Sequence, residues 1–164
     1  MDEDFAELAD AQSRSLMRLA WVLTGDAESA ADLVQDALCR GFVKRRLVLR
    51  ADQPAAYLKR LLVNQWGSRR PRREWVTDQV PETAHGDPRD RSTDDRLVLV
   101  RALADLSPQQ RAVVALRYVD DLSVRDTALV AGCSEQAVTT QCARALATLR
   151  RDPRVADLVE GITP

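Results

Sequence analysis

The stretch from Ser107 to Val138, SPQQRAVVALRYVDDLSVRDTALVAGCSEQAV, leaves a chain few ways to fold. Ser107 can cap a helix that begins at Pro108, and Gln110 stands where a reciprocal capping box needs it. An apolar stripe of Val113, Leu116 and Val119 follows. Ser123 can then cap a short helix, Val124 to Val130, with Asp126 near its positive end. Gly132 suits a left-handed turn, and Ser134 can cap the next helix, which carries Val138, Cys142, Ala145 and Leu149 on one side. Small Ala128, four residues before Gly132, permits a close helix crossing. The spacing predicts a helix-turn-helix, whose second helix presents its N-terminal residues to base edges in the DNA major groove. A three-helix bundle that merely packs would carry the same caps and stripes.

Apolar residues make up 45% of the 164, enough for a folded core, while only 4% are aromatic, so that core must be built from Leu, Val and Ala. Strand-like alternation is scarce, and Ala, Leu, Arg and Glu predominate, which predicts an all-α fold. No charged N-terminal segment leads into an apolar run and no stretch of about 18 apolar residues occurs, which predicts a cytoplasmic protein. Cys39, Cys133 and Cys142 are odd in number and lack paired spacing; with His85 the only histidine, neither a disulfide scaffold nor a zinc site is supported. We therefore expect no metal and no cofactor.

The net charge of −1 conceals segregation. Residues 1–38 carry nine acids and two arginines, whereas residues 39–73 carry eleven bases against Asp52 alone. Residues 74–95 return to seven acids and two arginines, and residues 96–151 hold eight bases and five acids. A near-neutral chain can thus still present a local basic face to phosphate.

Along the chain, a first helix is expected from about Asp4 to Leu23, ended by Thr24-Gly25-Asp26. Asp26 is placed to cap a second helix through about Lys44, with Leu33, Val34, Ala37, Leu38 and Phe42 inward and Asp32, Gln35 and Asp36 outward. These outward residues offer an acidic surface for a basic partner. Pro54 opens a third helix, PAAYLKRLLVNQW, in which Lys59, Arg60 and Asn64 can line an exposed face. Arg69, Arg70, Arg72 and Arg73 follow it. Bases pair with phosphate, rings stack on bases, and Asn can hydrogen-bond a base edge, so this segment suits strand binding as well as it suits a solvated helix face. Residues 76–94, with Pro81, Gly86 and Pro88 among many charges, read as a linker. Asp94 or Asp95 then caps a helix from Arg96 to Leu106. The expected organisation is a domain at 1–75, a linker at 76–94, a helix-turn-helix domain at 95–151 and a tail at 152–164: two small helical domains joined by a flexible linker.

With LAWVLTGDAESAADLVQDAL, PAAYLKRLLVNQW and the long segment through LATLR in that order and spacing, the chain resembles the extracytoplasmic-function sigma factors of the bacterial sigma-70 family. The resemblance runs from Phe5 to Arg150. It implies a non-enzymatic factor that binds core RNA polymerase, opens the promoter −10 element with its N-terminal helices and reads the −35 element with its C-terminal ones. It also leaves room for an anti-sigma protein as partner. Carried over by position, Asp32, Leu33, Val34, Gln35 and Asp36 match the polymerase-facing stretch. Tyr57, Lys59, Arg60 and Asn64 match the promoter-melting helix, with Arg69, Arg70, Arg72 and Arg73 as −10 backbone contacts, and Asn64 lies near the position where the family recognises an extruded base.

Ser134, Gln136, Thr139, Thr140, Gln141 and Arg144 match the −35 recognition helix. There the family's usual Lys and Arg are replaced by Thr139 and Gln141, and Ala31 stands where Glu is common. A stand-alone helix-turn-helix regulator would explain the last motif but not the two upstream, and a sigma-derived protein-interaction module with weak −35 binding would explain the less cationic helix. Asp120 and Asp121, adjacent carboxylates in a turn, have no histidine or metal-ligand spacing beside them and read as caps, so no catalytic residue is assigned.

Overall fold

The computed structural model describes residues 1–69 and 93–162, and among these every regular element is helical. The all-α expectation holds. Arg70, Arg72, Arg73, His85 and nearly all of the expected linker lie outside the described residues.

Helix α1, Asp2–Thr24, ends where Gly25 adopts φ 75°, a left-handed conformation that returns its N–H to Trp21 O at 2.7 Å. Asp26 then caps α2, Ala27–Val43, its carboxylate accepting from Ser29 N–H at 2.7 Å. The second helix stops one residue short of the expected Lys44, and a short helix that the sequence reading did not anticipate, α3 (Arg45–Arg50), buries Val48. Pro54 opens α4, Pro54–Ser68, as expected.

Helices α1, α2 and α4 pack together around Leu16, Leu19, Leu23, Leu33, Leu58 and Leu62, all fully buried. At their closest approach sits Gly41, where an added Cβ would lie 2.8 Å from Leu58 Cδ2 and 3.1 Å from Phe5 Cζ. Leu58 is itself fully enclosed and cannot swing aside. Gly41→Ala should therefore destabilise the chain by about 1–2 kcal/mol in urea unfolding, because overpacking outweighs the roughly 1 kcal/mol of helix propensity that alanine restores. An equal or higher midpoint would show that the three helices can spread.

The second half begins with α5, Thr93–Leu103, which starts before the expected Asp94 or Asp95 cap and stops three residues before Leu106. Ser107 and Gln110 form the expected capping box on α6, Pro108–Val114, with bonds of 3.2 and 3.3 Å. The expected continuation of this helix to Val119 is corrected: Ala115–Val119 form a π-helical turn, π1, and Asp120 N–H reaches back to Ala115 O at 3.0 Å. Asp121 follows at φ 53°, a left-handed position that Asp tolerates better than most residues. Helix α7, Val124–Ala131, is capped by Ser123 and closed by Gly132 at φ 70°. Helix α8, Glu135–Arg150, is capped by Ser134. Val138, Cys142, Ala145 and Leu149 are buried, as the stripe requires. Residues 152–164, expected as a tail, include a short helix α9, Ala156–Val159, that drives Val155 and Val159 into the core.

A small cluster of Val113, Ala128, Val138 and Cys142 fills the helix-turn-helix. The main cluster is continuous from Phe5 to Val159 and thus joins both halves, with α4 packed on α7 and α1 on π1.

Candidate nucleic-acid interface

The N-terminal turns of α8 project outward because Ser134 sets its start: the hydroxyl accepts from Ala137 N–H at 3.1 Å and so fixes which residues face the core. With Val138 and Cys142 inward, Gln136, Thr139, Thr140 and Arg144 are exposed and Gln141 is half-buried. The Thr139 hydroxyl donates to Glu135 O at 3.2 Å, and Gln141 Nε2 lies 3.5 Å from Gln109 Oε1. The expected recognition residues therefore form one polar face with Arg144 its sole cation among those six.

On α4, Tyr57, Arg60 and Asn64 recur at i, i+3 and i+7 and share one stripe. Arg60 and Asn64 are exposed and Tyr57 is half-buried. The adjoining stripe is Lys59, Val63 and Trp66, and its environment departs from the expectation of a solvated lysine. Lys59 is only 12% exposed in its side chain and places Nζ 2.9 Å from Asp120 Oδ2. The approach lies off hydrogen-bonding geometry, so the attraction is that of an ion pair rather than of a directed bond. Arg18 Nη2 stands 4.0 Å from the other carboxylate oxygen. Asp120, expected to be a cap, instead has a wholly enclosed side chain between two cations of the opposite half. The π-turn before it sets it there.

On α2, Asp32 and Gln35 are exposed. Leu33 and Val34, at 0% and 6% exposure, belong to the core and cannot offer the polymerase surface assigned to them. Asp36 pairs with Arg69 and lies 3.5 Å from Gln65 Nε2. Two residues expected to serve different partners thus hold each other, though a pair this exposed contributes little stability.

Sequence reasoning missed Arg111. It is 9% exposed, and its guanidinium donates to Leu103 O at 2.9 Å, Ala104 O at 2.8 Å and Leu23 O at 3.0 Å. Those carbonyls end α5 and α1, where helix dipoles concentrate negative charge. The same group lies 5.5 Å from the Trp66 ring centroid. Burial pushes the Arg111 pKa down, opposed by the Asp105 carboxylate. The signal available was an arginine just before the apolar run Ala112-Val113-Val114. Among the described residues no group of His, Cys, Asp or Glu is placed to hold a metal, and no helix is long and apolar enough to cross a membrane.

Residues 96–149 match the family model for sigma-70, region 4. The RNA polymerase sigma-E factor of Streptomyces coelicolor is 34% identical over 158 residues, 94% of this chain and 89% of that one. The ECF RNA polymerase sigma factor SigL of Mycobacterium tuberculosis is 32% identical over 151 residues, 87% of this chain and 85% of that one. In fold, the chain is similar to the sigma factor RpoE from Bartonella quintana, solved in complex with the anti-sigma factor NepR. That likeness has a TM-score of 0.73 at 23% identity and covers 91% of this chain and 96% of that one. A match that spans both the α2 and α4 segments and the helix-turn-helix excludes a likeness confined to the DNA-binding motif, and this chain belongs to the extracytoplasmic-function RNA polymerase sigma factors of the sigma-70 family.

Proposed function

We propose that this sigma factor binds core RNA polymerase through the exposed side of α2 and reads promoter DNA with α4 and α8. The observation that carries the reading is the pair of outward polar stripes, Arg60 with Asn64 and Gln136 with Thr139, Thr140 and Arg144, in a chain related along most of its length to polymerase sigma factors. Asp32 and Gln35 supply the polymerase contact, with Asp36 joining them if it leaves Arg69. Asn64 offers a directional donor and acceptor to an unpaired −10 base, whereas Arg60, Arg69, Arg70, Arg72 and Arg73 meet phosphate. Ser134, at the positive end of α8, meets backbone phosphate, and the side chains beyond it meet −35 base edges. The division into a −10 unit at 1–75 and a −35 unit at 95–151 follows from the same reading. The factor lends specificity to an enzyme rather than being one, acts in the cytoplasm beside the chromosome, and is a fit target for an anti-sigma protein.

Titration of core polymerase tests the α2 assignment. Asp32→Lys with Asp36→Lys should weaken binding at least tenfold while helicity is retained, since exposed charges contribute little to folding but much to docking. Unchanged affinity in a folded double variant would reject the assignment. At the promoter, Asn64→Ala should abolish preference at one unpaired −10 base in permanganate footprints, whereas neutralising the arginines should weaken binding to all sequences and flatten its salt dependence. Retention of every base preference by Asn64→Ala would remove Asn64 from the pocket.

A further inference from the structure

Two glutamines meet where α6 packs on α8. Val113 of α6 is wholly buried and shares the small helix-turn-helix cluster with Val138 and Cys142 of α8. That packing fixes the register of the two helices. Gln109 lies four residues before Val113, on the same side of α6, and Gln141 lies three residues after Val138 on α8, so the register brings them together. Gln141 Nε2 donates to Gln109 Oε1 at 3.5 Å. Gln109 is exposed and stands outside the capping box, which its neighbour Gln110 closes with Ser107. Gln141 is half-buried, one residue round the helix from exposed Thr140, and makes no other side-chain hydrogen bond among the described residues.

We propose that Gln109 is a positioning residue for −35 recognition: it holds the Gln141 amide so that its mixed edge, Oε1 beside one N–H, reads adenine and its all-donor edge is denied to guanine. The proposal rests on the assignment of α8 to the −35 element. A glutamine amide carries two N–H donors on Nε2 and an acceptor at Oε1. Gln109 takes one N–H, and what Gln141 has left is one donor and one acceptor. In the major groove adenine offers N7 to that donor and its N6–H to that acceptor. Guanine offers N7 and O6, two acceptors that call for both N–H groups, one of which Gln109 holds. A surface bond of 3.5 Å adds little stability, but choosing between two orientations of one amide needs little, and DNA closing over the pair excludes water and strengthens it.

The test is selection by holoenzyme, reconstituted from core polymerase and each full-length variant, among promoter fragments with a fixed −10 region and a randomised −35 duplex. The unaltered chain should enrich adenine over guanine at one base pair by about tenfold or more, the scale of a good bidentate contact. Gln141→Ala should abolish that preference. Gln109→Ala should cut it to about threefold or less at the same base pair and leave the other −35 preferences unchanged, because the guanine-reading edge is then free. The double variant should select as Gln141→Ala alone does, since the two residues act as one unit. Gln109→Glu keeps the acceptor and should keep the adenine preference while weakening binding to all sequences through repulsion from phosphate, a split that a merely structural role does not produce. A Gln109→Ala holoenzyme that retains the adenine preference, or loses a preference at a different base pair, overturns the proposal, as does loss of the preference in Gln109→Glu. So does a Gln141→Ala holoenzyme with every −35 preference intact, and there Gln136→Ala and Thr140→Ala decide how far the failure extends. A preference lost in either leaves α8 on the −35 element, and indifference in both removes that assignment as well.

Discussion

Arg111→Met should lower the unfolding free energy of the full chain by about 2–4 kcal/mol, the scale expected when buried carbonyls lose a charged donor. Methionine fills most of the arginine's volume, so packing changes little. The loss arises at the ends of α5 and α1: Leu23 O is left buried without a donor, Leu103 O keeps only the Leu106 N–H at 3.1 Å, and the part-buried Ala104 O loses a bond of 2.8 Å. An orphaned buried carbonyl costs about 1–3 kcal/mol, and that cost together with the two other lost charge-assisted bonds outweighs the gain from no longer desolvating a guanidinium. Lysine should recover only part of the loss, because a single ammonium cannot span the fork. Urea unfolding measures both variants, and a loss below about 1 kcal/mol for Arg111→Met would mean that water replaces the guanidinium and that the network is peripheral.

The second large effect is a gain. Thr139→Lys with Gln141→Arg, introduced in the full chain, should raise affinity for duplex DNA at least tenfold at low salt and steepen the logarithmic salt dependence by about 1.8, two added phosphate contacts at about 0.9 each. Neither native side chain is committed to holding the fold: the Thr139 hydroxyl bonds back to its own helix, and the Gln141 contact with Gln109 is long at 3.5 Å. Sequence preference should fall as affinity rises, because the new cations see phosphate and not base edges. Anisotropy with promoter and scrambled duplexes distinguishes the outcomes. Unchanged affinity would place this face of α8 away from DNA and favour a protein-binding role for the domain.

Local signals announced themselves in the sequence and tertiary ones did not. Asp26, Ser107, Ser123 and Ser134 each cap the helix that their position announced, because capping depends on a side chain and an N–H only two or three residues away. The inward stripe of α8 was equally legible. What escaped was decided across the two halves. Asp120 reads as a turn residue until α4 supplies Lys59, and Arg111 reads as a helix-surface base until the ends of α1 and α5 supply carbonyls. The π-turn was hidden for a related reason: its i+5 register leaves no mark in a 3.6-residue stripe. Leu33 and Val34 show the opposite case: they belong to a contiguous motif, of which a helix can expose only part. Residues 152–164 read as a tail because a four-residue helix is too short to show periodicity, yet Val155 and Val159 anchor them.

Run-off transcription with purified core polymerase on a genomic promoter library is the decisive measurement of promoter-directing function, because it requires polymerase binding, promoter choice and opening together. The full chain should direct initiation from a restricted set of promoters that share −10 and −35 elements, and Asp32→Lys with Asp36→Lys should abolish it. DNA binding without promoter-specific transcripts, or transcripts that begin at the same positions with and without the chain, would contradict the account.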